Sequence, residues 1–111
     1  MIEPKILPTG LLASNIPENG SKGFECNGEK YFAVKKQNQI YIYINSCPHI
    51  GVALEWVEDT FLDHSRTMIQ CANHGALFVI ETGACVTGPC MGKKLNAVNF
   101  TLVDDMIFLN R

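Results

Sequence analysis

The chain has 111 residues, 47% of them hydrophobic and 18% charged, with a formal net charge of −2. That length suits one domain with a real core and leaves no room for a second cofactor-binding domain, and no basic run points to nucleic acid. No stretch approaches the roughly 18 apolar residues of a membrane span, and a beginning with Glu3, Pro4 and Pro8 has neither part of a secretory leader.

Residues Met1 to Ser21 are rich in Pro, Gly, Asn and Ser, with Leu11, Leu12 and Ile16 as anchors. They read as an extended lead-in able to contribute one strand or one turn. From Gly23 the pattern turns to β. Phe24 and Cys26 alternate with polar neighbours, and Asn27-Gly28 is a strong hairpin signal. Tyr31 to Val34 is the next strand, and Lys35-Lys36-Gln37-Asn38 a polar turn. In the strand Ile40 to Ile44, the isoleucines at 40, 42 and 44 share one face and Tyr41 and Tyr43 the other. This strand delivers the chain to Cys47.

Cys47-Pro48-His49 and Cys71-Ala72-Asn73-His74 are two Cys/His pairs with 21 residues, 50–70, between them. Each pair sets a thiolate and an imidazole within one loop. Together they offer two sulfur and two nitrogen ligands, which suits a zinc ion or an iron–sulfur cluster. Between the pairs, Ala53 to Glu58 reads as a short helix or turn carrying Leu54, Trp56 and Val57. Phe61-Leu62-Asp63 and Thr67 to Gln70 read as short strands around a His64-Ser65-Arg66 turn. Beyond the second pair, Leu77 to Ile80 is a strand, Glu81-Thr82-Gly83 a turn, and Thr87 to Gly92 a loop containing Gly88-Pro89. Ala97 to Val103 and Met106 to Leu109 flank Asp104-Asp105 as a closing hairpin. Short strands with regular turns argue for an all-β fold, an antiparallel sandwich or barrel.

The ordered set C-x-H, C-x-x-H-G-A-x-F, T-G and G-P resembles the Rieske family, whose [2Fe–2S] cluster has cysteines on one iron and histidines on the other. The resemblance covers most of the chain. It implies one Rieske-type domain over 1–111, with the cluster-binding loops within about 46–92 forming a small subdomain at one end. It also implies one [2Fe–2S] cluster per chain, with Cys47 and Cys71 on one iron and His49 and His74 on the other. Gly51, Gly75, Gly88 and Pro89 would let backbone amides approach the sulfurs. The spacer is longer than is common in the family and reads as an insertion that leaves the ligands in place. In the family's high-potential branch a disulfide clamps the two ligand loops, and serine and tyrosine hydroxyls lie near the cluster. The matching positions here are Val52 and Asn73, then Ala76 and Phe78, so clamp and hydroxyls are both missing.

The implied function is that of a soluble, cytoplasmic one-electron carrier, not itself an enzyme, passing electrons from a reductase to an oxygenase. The small Rieske-like subunit of a nitrite reductase is an alternative, and a structural zinc module another. Only three histidines exist, and His64 is read as a solvated turn residue. One spare histidine cannot build the 2-His-1-carboxylate iron site of an oxygenase. There is no G-x-G-x-x-G for a nucleotide cofactor. An odd count of five cysteines fits a reducing cytosol better than a disulfide framework. Cys26 reads as a small buried hydrophobe. Cys85 and Cys90 are read as packing beside the cluster, with a redox pair as the alternative.

Overall fold

Three two-residue hairpin turns fix the scaffold. Asn27-Gly28, Gln37-Asn38 and Asp104-Asp105 each have positive φ at both central residues (52° and 80°, 52° and 61°, 49° and 70°). That is the turn geometry whose twist matches the strands it joins. The computed structural model describes residues 6–48, 53–54, 59–72 and 75–111. In it β1 spans Ile6–Leu12, β2 Gly20–Cys26, β3 Glu29–Lys36 and β4 Gln39–Ile44. Next come β5 (Ile69–Gln70), β6 (Leu77–Phe78), β7 (Cys85–Thr87), β8 (Phe100–Val103) and β9 (Met106–Asn110). They form three antiparallel sheets in the orders β1-β9-β8, β2-β3-β4 and β5-β6-β7.

The central sheet β2-β3-β4 is covered on both faces, and its side chains divide accordingly. Tyr31, Ala33 and Ile42 point to one apolar cluster, which they share with Leu11, Ile107 and Leu109 of the β1-β9-β8 sheet. Phe32, Val34 and Tyr43 point to the other, shared with Phe61, Ile69, Phe78 and Leu95 of the cysteine-bearing half. Burial on both faces explains why residues 31–34 read as an unbroken apolar run. The expected all-β architecture, with isoleucines and tyrosines of β4 on opposite faces, is observed.

Several boundaries differ from the expectation. Lys35 and Lys36 stay in β3, because Glu18 closes the turn that follows. Its carboxylate accepts the Gln37 and Asn38 N–H groups at 2.6 and 3.0 Å. The strand expected over Leu77–Ile80 ends at Phe78. Val79 N–H donates to Ala84 O at 2.9 Å and Gly83 N–H to Val79 O at 2.7 Å, folding the chain into a turn. The strand expected from Ala97 begins at Phe100. Residues 96–98 instead run beside β4, with Ile44 N–H donating to Asn96 O and Val98 N–H to Ile42 O. Trp56 and Val57 lie outside the described residues.

Candidate metal centre

Three backbone loops meet on the Phe32–Val34–Tyr43 face of the central sheet. The first leaves β4, where buried Asn45 accepts the Leu54 N–H on its side-chain oxygen at 2.9 Å. That contact draws the two ends of the Cys47 loop together. Leu54 O in turn accepts the Ala72 N–H at 2.8 Å, binding the first loop to the second. The second loop is closed on itself: Gly75 N–H donates to Cys71 O at 2.8 Å and Cys71 N–H to Ala76 O at 2.9 Å. The third runs from Cys85 to Lys93. Cys85 N–H donates to Lys93 O at 3.0 Å, Lys93 N–H to Cys90 O at 2.9 Å and Met91 N–H to Gly88 O at 3.2 Å. The segment leading to β5 is anchored separately on β2. Asp59 accepts the Gly23 N–H at 2.8 Å and pairs with the Lys22 ammonium at 2.9 Å. The Tyr43 hydroxyl donates to Ile80 O at 2.6 Å, fastening the scaffold to the loops.

Cys47 and Cys71 are 1% and 0% exposed and belong to the same apolar cluster, with Cys90 and Ala76 in it too. No cysteine of the chain is in a disulfide. Two buried thiols on adjoining loops, walled by apolar side chains, are the sulfur half of the donor set a [2Fe–2S] site needs. The residues present therefore fit such a group. His49 and His74 lie outside the described residues. His64 is exposed in the turn between Leu62 and Ile69, where the Asp63 carboxylate accepts the Thr67 and Met68 N–H groups. That is the solvated position expected for it. Burial, and after it the contact and charge of Cys85 and the charge of Cys47, push the Cys90 thiol up to about 12.

The third loop approaches the second at a position where no side chain fits. Gly88 has φ +103°, and a Cβ there would lie 2.8 Å from Ala76 Cα and 2.9 Å from Ala76 Cβ. At Gly92, with φ +93°, an added Cβ would meet nothing within 4 Å. Gly88→Ala should therefore cost more than backbone strain alone. We expect on the order of 3 kcal/mol for Gly88→Ala and about 1 kcal/mol for Gly92→Ala, read from thermal melts. Equal costs at the two positions would show that the Ala76 contact does not matter.

Two features were not legible in advance. The Cys85–Thr87 strand is three residues long, with Cys85 facing Phe78 across the ladder. The Asn45 contact joins residues nine apart through a side chain that has no motif-level signal.

Comparison with known proteins bears on this arrangement. The family model of the Rieske [2Fe–2S] domain matches residues 10–103. A curated relative, the cytochrome b6-f complex iron-sulfur subunit of Chlorobaculum thiosulfatiphilum, is 30% identical over 77 residues, which is 69% of this chain. The chain covers only 39% of that relative's length. Among solved structures, the ferredoxin of carbazole 1,9a-dioxygenase from Nocardioides aromaticivorans IC177 superposes with a TM-score of 0.74 at 20% identity, over 98% of both chains. The terminal oxygenase of carbazole 1,9a-dioxygenase from Novosphingobium sp. KA1 superposes at 0.77 and 19% identity, over 97% of this chain and 29% of that one. With two buried cysteines on paired loops and a family match over residues 10–103, the chain belongs to the Rieske [2Fe–2S] family and holds one such cluster.

Proposed function

We propose that residues 1–111 form a single Rieske domain that works as a cytoplasmic one-electron carrier between a reductase and an oxygenase. In this reading Cys47 and Cys71 hold one iron and His49 and His74 the other. The cluster, when bound, supplies a one-electron couple. The protein's part is to bury the two sulfurs, orient the ligand loops through Asn45, Leu54 and Ala76, and keep water from the cysteine side. The observation that carries the reading is the likeness to the carbazole dioxygenase ferredoxin over 98% of both chains. A solved complex of oxygenase and ferredoxin in carbazole 1,9a-dioxygenase, one chain of which superposes at a TM-score of 0.74 over 92% of its length, supports an oxygenase as the kind of partner.

The curated b6-f relatives favour a second reading, a high-potential subunit serving quinol. Val52, Asn73, Ala76 and Phe78 weigh against it, since the clamp and both hydroxyls of that branch are missing. Among the described residues no helix is long and apolar enough to cross a membrane. Protein-film voltammetry tests the carrier reading. It should give one reversible one-electron wave per chain, and a protein without any wave would be a structural module.

A further inference from the structure

The cluster uses two of the five cysteines, and two of the remaining three touch each other. The Cys85 and Cys90 sulfurs are 3.2 Å apart, with Cys85 7% exposed and Cys90 0%. A disulfide bond is about 2.05 Å long, so the sulfurs need approach by only about an ångström. The backbone already holds the two residues across from each other, through the Cys85–Lys93 and Lys93–Cys90 hydrogen bonds. The same loop carries Gly88, which lies against Ala76, and Ala76 O accepts the N–H of Cys71. A continuous path of contacts therefore runs from the thiol pair to a cysteine of the metal centre.

We propose that Cys85 and Cys90 are a reversible dithiol–disulfide couple, oxidised by a small-molecule disulfide of the glutathione class, and that closing it shifts the cluster's reduction potential. The potential shift rests on the cluster being held at Cys47 and Cys71; formation of the bond does not. Cys85, which keeps some exposure, attacks one sulfur of the small disulfide and releases one small thiol. The Cys90 sulfur then attacks Cys85 of the mixed disulfide, forming the Cys85–Cys90 bond and releasing the second small thiol. Two protons and two electrons pass from the protein thiols to the small disulfide. A one-electron cluster cannot accept both electrons, which is why an external acceptor is required. The bond would join the start of β7 to the turn after Pro89 and tighten the loop resting on Ala76. Through that contact it acts on the surroundings of Cys71.

The test uses the iron-loaded protein poised in oxidised or reduced glutathione, then alkylated after unfolding and weighed. Oxidised glutathione should remove two of the five alkylatable thiols, reduced glutathione should restore them, and the visible spectrum of the cluster should persist throughout. The voltammetric midpoint should move on oxidation and return on reduction. Neither change should occur in Cys85→Ser or Cys90→Ser, and Cys26→Ser should behave as the wild type. An unchanged count of five thiols in the wild type overturns the couple. So does a loss of two thiols that survives in Cys85→Ser. A disulfide that forms with an unmoved midpoint overturns the coupling. If the serine variants fail to fold, peptide mapping of the oxidised wild type decides, and a bond between any residues other than 85 and 90 overturns the proposal. A protein without iron or sulfide before treatment contradicts the cluster reading instead, and its thiol count still reports on the pair.

Discussion

Replacing His49 or His74 by alanine should abolish or convert the Rieske-type spectrum, whereas His64→Ala should leave it unchanged. On the proposed assignment, each substitution at 49 or 74 would remove a nitrogen ligand, and the chain has only one other histidine to offer in its place. His64 is the sole remaining histidine, and it is exposed in a turn whose hydrogen bonds are made by Asp63. Altering partners that merely orient ligands typically costs metal sites 10- to 100-fold in affinity, roughly, so loss of a ligand itself should be larger. The measurement is the absorption and EPR spectrum of each variant with its iron content. Cluster loss in His64→Ala, or an unchanged Rieske spectrum in His49→Ala, would mean that the ligands have been misassigned.

The second large effect is on the reduction potential. Two thiolates and two neutral imidazoles leave an oxidised cluster formally neutral, so histidine ligation raises the potential, to roughly −150 to +300 mV across Rieske centres. Hydrogen bonds from nearby hydroxyls raise it further, because they stabilise the more negative, reduced form. Ala76 and Phe78 occupy the positions where such hydroxyls would stand, and both are fully buried. Ala76 closes the Cys71 loop and Phe78 faces Ile69 and Cys85 across the β5-β6-β7 ladder. A charge-assisted hydrogen bond is worth roughly 1.5 to 3 kcal/mol, and a one-electron shift of about 59 mV corresponds to a tenfold change in equilibrium. The unmodified protein should therefore lie near the bottom of the range. Ala76→Ser with Phe78→Tyr should raise its midpoint by on the order of 100 mV. A wild-type midpoint near the top of the range would favour the quinol-side reading, and an unmoved double variant would remove the hydroxyl argument.

How much of this was legible in the sequence varies by element. The strand β4 could be read residue by residue, because its two faces meet two different apolar clusters and the alternation of isoleucine and tyrosine records that. The hairpins at Asn27-Gly28 and Asp104-Asp105 were legible because those residue types accept positive φ. The first strand was legible only as one of two options, a strand or a turn. Pro8 and Gly10 break its pattern, and the structure accommodates them at a sheet edge with a register shift between Pro8 and Leu12. The turn expected over Lys35 to Asn38 is shorter than its polar run, because its closing partner, Glu18, which leaves only Gln37-Asn38 in it, is remote in sequence. At the metal centre the paired Cys/His spacing carried the family. The approach of Cys85 to Cys90 was open, since five residues of chain can either separate two thiols or fold them together, and backbone hydrogen bonds decide which.

The most direct measurement is metal and sulfide analysis of protein purified without air, combined with EPR before and after reduction. The account predicts two irons and two acid-labile sulfides per chain, with a rhombic signal only in the reduced protein. One zinc per chain, with no sulfide and no signal, would contradict it.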